Sequence, residues 1–233
     1  MGKAIAKNFL MGVSYILRDA GQALDRLGSK MTDDVAYLEK YSRHRKLMPI
    51  YELWPSYGNS FIAPNASLVG EVLVGNNSAV WYGAVLKGDK FAVRIHDNVF
   101  IGENSSITTV YHLPTATPSS VTIASNVVIE EGCSLISCIV DSFSLIGKGS
   151  SIQGGAKIER GVILRPGTVV GPGNTIPSYT IWEGNPAKYV RDVTEADFKL
   201  IENALKSQSE SAKRNFDLLS SLGHNLTTIN TPK

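Results

Sequence analysis

The sequence predicts a mainly β protein, a parallel β-helix built from six-residue repeats between Ile62 and Ile176. Aliphatic residues recur every six positions along this stretch, with interruptions before Ile95 and Ile123 and a one-residue slip before Val140. Gly, Ala or Glu often follows the aliphatic residue, turn-forming residues come next, and a small or short-branched residue stands at the fifth position. This repeat is typical of a β-helix, in which each unit is a short strand and a tight turn.

The predicted core is a column of the recurring aliphatic side chains. Three units close one coil, and the inward residues of successive coils stack on one another. The stretch provides about six coils, and several are needed because each coil buries its faces only against its neighbours. The members of the column are Ile62, Leu68, Val74, Val80, Leu86, Ile95, Ile101, Ile107, Ile123, Ile129, Leu135, Val140, Ile146, Ile152, Ile158, Leu164, Val170 and Ile176.

The composition fits one domain with appended segments. A chain of 233 residues with 43% hydrophobic content is sufficient for a core. The net charge of +2, without a basic stripe carrying aromatic residues, argues against nucleic-acid binding. The sequence contains no run of about twenty apolar residues, so it predicts no membrane span. Cys133 and Cys138 lie inside the repeat without a CxxC partner, which predicts buried free thiols rather than a disulfide or a zinc knuckle.

Residues 1–60 are predicted to form an amphipathic helix followed by a basic linker. The early part of the helix carries basic residues and no acid before Asp19, as mitochondrial targeting helices do. We interpret it as a docking helix that packs on a partner or on the β-helix, and a helix lying on a membrane surface is the alternative. The apolar face covers residues 4–28, stops at Gly28, and consists of Ile5, Phe9, Val13, Ile16, Leu17, Ala20, Leu24 and Leu27.

The linker contains a compact basic cluster, Arg43, His44, Arg45 and Lys46. Such a cluster is most often a solvated face. Beside an amphipathic helix it also suits a partner or anionic phospholipid headgroups, which attract each basic residue near the surface by about 1 kcal/mol. The cluster is therefore a candidate contact with lipid or with a partner.

Two segments interrupt or follow the repeat. Residues 111–120 carry two prolines and small polar residues, which predicts a loop ejected from the coils, a place where binding function often lies. After the repeat, Thr194 and Asp197 are typical of a helix start, and an apolar stripe continues the pattern. We predict a helix over residues 191–222, packed on the side of the prism, and a polar tail over 223–233.

Four segments carry a resemblance to a known family. They are residues 17–28 (LRDAGQALDRLG), 42–48 (SRHRKLM), 80–89 (VWYGAVLKGD) and 181–188 (IWEGNPAK). The chain resembles the γ-class carbonic anhydrases, specifically the mitochondrial members built into respiratory complex I of plants and protists. The resemblance implies a left-handed β-helix over residues 61–190 that assembles as a trimer. The N-terminal match is the most specific, because hexapeptide acyltransferases and bacterial anhydrases do not share it.

In that family three histidines from adjacent protomers hold a zinc ion, with a water in the open position. The resemblance places Thr108 at the first histidine and Glu131 and Ile136 at the other two. All three ligands are replaced, which predicts that this chain provides no metal ligands and no catalytic residues of its own. Zinc would then be held only at interfaces formed by sister subunits.

The surroundings of the family's site also differ. Lys87 replaces an arginine and Gly102 replaces a glutamine, whereas Asp89 is kept. The resemblance implies that Asp89 pairs with a basic residue across the protomer interface. His112, in the ejected loop, is the one histidine expected to reach the interface, where Glu131 or Cys133 would complete a different site.

The leading hypothesis is therefore a non-catalytic structural subunit of the complex I membrane arm. It would form a trimer with two related subunits and sit peripherally on the matrix side of the mitochondrial inner membrane. One alternative is a carbonic anhydrase with rearranged ligands. Another is a hexapeptide acyltransferase with His112 as its catalytic histidine. A fourth is an altered pocket that binds another small molecule or lipid, with Lys87 as the anchor for an acidic group.

Overall fold

The computed structural model describes residues 53–113 and 119–221, together with 47–48, Ile50 and scattered positions between 13 and 31. The described residues form short strands and a long C-terminal helix, Glu195–Ser221. The strands are β1 (Leu47–Met48), β2 (Ser56–Tyr57), β3 (Phe61–Ile62), β4 (Ser67–Val74), β5 (Ala79–Val80), β6 (Val85–Ile95), β7 (Val99–Ile101), β8 (Ser106–Thr108), β9 (Val121–Ile123), β10 (Val127–Ile129), β11 (Ser134–Ile136), β12 (Ile139–Val140), β13 (Leu145–Ile146), β14 (Ser151–Ile152), β15 (Lys157–Ile158), β16 (Ile163–Leu164), β17 (Val169–Val170), β18 (Thr175–Ile176), β19 (Thr180–Glu183) and β20 (Lys188–Asp192).

Parallel pairing stacks these strands into a three-sided prism. Face one carries β8, β11, β14 and β17, face two carries β9, β12, β15 and β18, and face three carries β3, β5, β7, β10, β13, β16 and β19. The long strands β4 and β6 pass from face one to face two. In the described part of the chain, the stack on face three gives about seven coils, against the six predicted.

The predicted column is the core. Each of its aliphatic residues is buried, and none is more than 4% exposed. Cys133 and Cys138 are buried free thiols, as predicted. The predicted fold, a left-handed parallel β-helix of hexapeptide repeats with a C-terminal helix packed on it, is confirmed.

The C-terminal helix lies along face three. Ile201 is fully buried against Ile163 and Ile181, and Ala212 joins the main core farther along the helix. The helix begins at Glu195 rather than at 191, because residues 188–192 form β20, which pairs antiparallel with β19. None of the described helical residues forms a stretch long and apolar enough to span a membrane.

The N-terminal predictions fall only partly within the described residues. The described positions between 13 and 31 are helical and exposed, and helical conformation reaches Met31, beyond the predicted stop at Gly28. The basic cluster 43–46 and the tail 223–233 lie outside the described residues.

Candidate functional site

Two of the predicted ligand positions are neighbours on face one. Thr108 ends β8, and Ile136 ends β11 and pairs directly with it. Lys87 of β6 pairs with Thr108 on the other side, so the three residues form one outward row. The residues that precede Thr108 and Ile136, Ile107 and Leu135, point inward and have no exposed surface. Strand alternation thus turns both ligand positions outward.

Glu131 lies at a different edge of the prism, at the corner where the chain passes from face three to face one. Glu131 lies in the turn before β11 and Ile136 ends that strand, so the two side chains lie at opposite ends of one strand of face one. A zinc ion binds its ligands at about 2 Å. A site that uses both Glu131 and Ile136 therefore requires two chains.

The Glu131 carboxylate already has a partner. It lies 3.1 Å from the Lys148 ammonium group, with both side chains more than half exposed. The hydrogen bond from Lys148 to Glu131 raises the pKa of Lys148. The Glu130 carboxylate accepts a hydrogen bond from the Lys148 backbone N–H at 2.9 Å. The Glu131 carboxylate is thus paired within its own chain.

The donor set does not fit zinc. Zinc takes histidine nitrogen, thiolate sulfur or carboxylate oxygen. Ile136 has no donor atom, Thr108 offers only a neutral hydroxyl, and the Glu131 carboxylate is paired with Lys148. In the described part of the chain, no group of three or more His, Cys, Asp or Glu side chains is arranged to hold a metal ion.

The alternative site at His112 includes a buried thiol. Cys133 is 1% exposed, and its Sγ donates to the Gly147 carbonyl at 3.3 Å. Burial raises the pKa of Cys133 to about 11. The thiol is therefore protonated at neutral pH, whereas a metal ligand must be a thiolate. His112 is exposed and remains a candidate without this partner.

Asp89 is satisfied within its own chain. Its carboxylate lies 3.2 Å from the Lys87 ammonium group and 3.1 Å from that of Lys90, and its side chain is only 10% exposed. Burial raises the pKa of Asp89, but hydrogen bonds and charge attraction from Lys90 and Lys87 outweigh it and hold the pKa below its usual value. The Lys90 ammonium group also sits 4.3 Å above the Tyr111 ring.

Gly102 occupies a close approach between coils. A Cβ atom at this position would lie 2.4 Å from the carbonyl carbon of Glu130 and 2.6 Å from the nitrogen of Glu131. The family's glutamine therefore does not fit here unless the coil that carries Glu131 moves. The substitution at Gly102 and the substitution at Glu131 belong to one altered corner.

Sequence reasoning missed two features of this region. Ser137 closes the ejected loop, because its hydroxyl accepts from the Val110 N–H at 2.9 Å and donates to the Ser119 carbonyl at 2.6 Å. A cavity of about 390 Å³ also lies between the Glu131 corner and the C-terminal helix, which lines it with Gln208, Ser211 and Asn215. The repeat pattern carries no signal for either, because both depend on groups far apart in sequence.

Comparisons with known proteins settle the family. The chain is 41% identical over 198 residues to gamma carbonic anhydrase 3, mitochondrial, of Arabidopsis thaliana. This match covers 84% of this chain and 75% of that protein. It is 35% identical over 170 residues to gamma carbonic anhydrase-like 1, mitochondrial, of the same plant, covering 72% of this chain and 67% of the relative. The chain belongs to the γ-carbonic anhydrase family. No family model matches it.

The fold of this γ-carbonic anhydrase relative also occurs in a solved structure. A hexapeptide transferase family protein from Anaplasma phagocytophilum aligns with a TM-score of 0.66 at 27% identity, covering 72% of this chain and 96% of that one. The predicted family and fold are confirmed. The absence of zinc and the role in complex I remain predictions.

Proposed function

We propose that this chain is a non-catalytic, γ-carbonic-anhydrase-like structural subunit of the mitochondrial complex I membrane arm. It forms one protomer of a trimer with two related subunits, peripheral to the inner membrane on the matrix side. The mitochondrial names of its Arabidopsis relatives support the compartment. The resemblance of residues 17–28 and 42–48 to the complex I members of the family supports the assembly.

The observation that carries the proposal is the replacement of the whole donor set. The family's three histidine positions are held by Thr108, Glu131 and Ile136. Thr108 and Ile136 pair with each other in the outward row, and the Glu131 carboxylate forms an ion pair with Lys148. A zinc-bound water with a pKa near 7 is what makes such a site catalytic. Without ligands for the ion, the faces of this chain have nothing to generate that nucleophile. Zinc at the interfaces of sister subunits stays compatible with the proposal.

Two enzymatic functions compete with this one. A carbonic anhydrase with rearranged ligands would rest on His112 and Glu131. A hexapeptide acyltransferase is compatible with the solved relative from Anaplasma phagocytophilum, and would also need His112 as a base. Each predicts an activity that depends on the same histidine.

Metal content and CO2 hydration test the catalytic part. We expect the purified full chain, supplied with zinc, to retain no stoichiometric zinc and to hydrate CO2 at the background rate. The matched control is the T108H/E131H/I136H variant, which restores the family's donor set and should gain zinc wherever the chain forms a trimer. Stoichiometric zinc in the natural chain, or an activity abolished by His112→Ala, would refute the non-catalytic role.

Native gel electrophoresis of solubilised inner membranes tests the assembly. A tagged full chain should migrate with complex I and with two related subunits. Migration as a free trimer only would refute the complex I role and leave the metal result unaffected.

A further inference from the structure

One corner of the prism carries an unusual set of residues at a repeated backbone position. Where the chain passes from face two to face three, one residue in each of six successive coils adopts a left-handed conformation, with φ between 52° and 69°. In chain order these residues are Asn77, Asn98, Asn126, Phe143, Gly161 and Tyr179. Asparagine and glycine are the residues that this conformation tolerates best, whereas bulky aromatic residues are outliers there.

The aromatic residues are not needed to make the turn. The same corner is formed by asparagine in the earlier coils, where Asn98 donates a side-chain hydrogen bond to Asn126 at 3.1 Å. At the corner between faces three and one, glycine or asparagine holds the equivalent position. Phe143 and Tyr179 therefore occupy a disfavoured conformation that Asn or Gly would relieve. Strained residues of this kind cluster at binding and catalytic sites.

Their rings help to build a cavity of about 310 Å³ beside the start of the C-terminal helix. The Tyr179 ring packs on the Phe198 ring with centroids 5.8 Å apart, and it lies over Gly161, where a Cβ atom would be 2.6 Å from it. Phe143 forms another wall, with the Arg160 guanidinium group 5.2 Å from its ring centroid. The lining consists of Phe143, Arg160, Tyr179, Phe198, Ile201 and Glu202.

The cavity combines an apolar interior with one charge of each sign. Ile201 has no exposed surface, whereas Arg160 and Glu202 are exposed. Among the residues that the structure describes, neither charged side chain forms a salt bridge. A complementary ligand therefore has a hydrophobic body, a carboxylate for Arg160 and an ammonium group for Glu202. The volume is at the lower end for small-molecule sites, which suits a small ligand.

We propose that this cavity binds a free hydrophobic α-amino acid. The side chain would lie among the rings of Phe143, Tyr179 and Phe198, the α-carboxylate would pair with Arg160, and the α-ammonium group with Glu202. The cavity lies at a different corner from Glu131, so the proposal is independent of the metal question and of the proposed complex I role.

Isothermal titration of the full chain with three matched probes tests the charge pattern without any substitution. L-Phenylalanine carries both charges, 3-phenylpropionate lacks the ammonium group, and 2-phenylethylamine lacks the carboxylate. We expect saturable binding of L-phenylalanine, and binding weaker by about two- to fivefold for each analogue, as for the loss of one exposed ion pair. Equal affinity for all three probes, or no saturable binding of L-phenylalanine, overturns the proposal.

Variants assign the contacts. Arg160→Gln should weaken L-phenylalanine and 3-phenylpropionate by about two- to fivefold and leave 2-phenylethylamine unaffected or tighter. Glu202→Gln should weaken 2-phenylethylamine and leave 3-phenylpropionate unaffected or tighter. Phe143→Asn should weaken all three by at least about fivefold while preserving the turn. The control Arg165→Gln removes a guanidinium group at the other end of β16, paired with Glu183, and should change nothing.

Discussion

Asp197 joins the C-terminal helix to the end of the prism, and its substitution tests how firmly the helix is held. Its carboxylate accepts hydrogen bonds from the Thr194 N–H at 2.8 Å and from the Thr194 hydroxyl at 2.6 Å. It also receives two hydrogen bonds from the Arg191 guanidinium group, at 2.6 and 2.9 Å. Arg191 belongs to β20, so this one carboxylate connects the last strand to the first turn of the helix.

We expect Asp197→Asn to lower the free energy of unfolding by about 1–2 kcal/mol. Asn removes the charge and leaves one acceptor oxygen where Thr194 and Arg191 use two, and the loss of a helix N-terminal capping contact costs about 1 kcal/mol. The ion pair adds at most about 1 kcal/mol, because the Arg191 side chain is 45% exposed. In a domain of this size the loss corresponds to a fall of about 2–8 °C in Tm. Glu195→Gln is the matched control, an acid of the same helical turn, and should cost less than about 0.5 kcal/mol.

The pH dependence of the free energy of unfolding isolates the contribution of the Asp197 charge. Hydrogen bonds from Arg191 and Thr194 hold the pKa of Asp197 well below its ordinary value of 3.8. A carboxylate with a lowered pKa in the folded state stabilises the fold fully above about pH 5, and this stabilisation is lost as the pH falls below about 4. The difference between the wild type and Asp197→Asn, measured by urea denaturation with circular dichroism, should therefore narrow from pH 6 to pH 3. A difference that stays constant over this range would refute the reasoning.

Three further predictions follow from buried groups. Ser137→Ala should leave the N–H of Val110 and the carbonyl of Ser119 without their hydrogen-bond partner. We expect the free energy of unfolding to fall by about 1–3 kcal/mol and proteolysis within residues 111–120 to become faster. An unchanged rate of cleavage would contradict the role of Ser137 in closing the loop. Because burial raises the pKa of Cys133 to about 11 and that of Cys138 to about 12, neither thiol should react with iodoacetamide at about pH 8 until the chain is denatured. Ile201→Ala should destabilise the protein by about 2–5 kcal/mol in thermal unfolding, whereas the exposed Leu200→Ala should have little effect.

The repeat could be predicted because each aliphatic residue of the column obeys a local rule. A six-residue period places Leu164 three units after Ile146, and Val170 three units after Ile152, without knowledge of any contact, and both pairs are stacked and buried. The predicted slip before Val140 is confirmed, since β12 pairs in register with β9 and β15. Local periodicity was enough because the contacts of a solenoid are made between neighbouring coils.

What the sequence did not predict depends on contacts between distant segments. The strand β20 takes up residues 191 and 192 of the predicted helical segment through its pairing with β19, and the helix begins at Glu195, beside the start signal at Thr194 and Asp197. The aromatic cavity combines corner residues with Phe198 of the helix, and no periodicity relates them. For the zinc positions, resemblance indicated Thr108, Glu131 and Ile136, and the structure adds that Glu131 is paired with Lys148.

The alternation of the strands explains how a β-helix of this family can exchange its site and keep its fold. In β8 and β11 the core depends on Ile107 and Leu135, which point inward, whereas Thr108 and Ile136 point outward and contribute little to the column. A substitution in the outward row removes a ligand without opening a cavity, so the stability of the prism places no constraint on the ligands. The intact coils of this chain are therefore equally compatible with a catalytic and a non-catalytic subunit. The outward row and the Glu131 corner alone distinguish the two, which is why metal content, rather than fold or stability, is the decisive measurement.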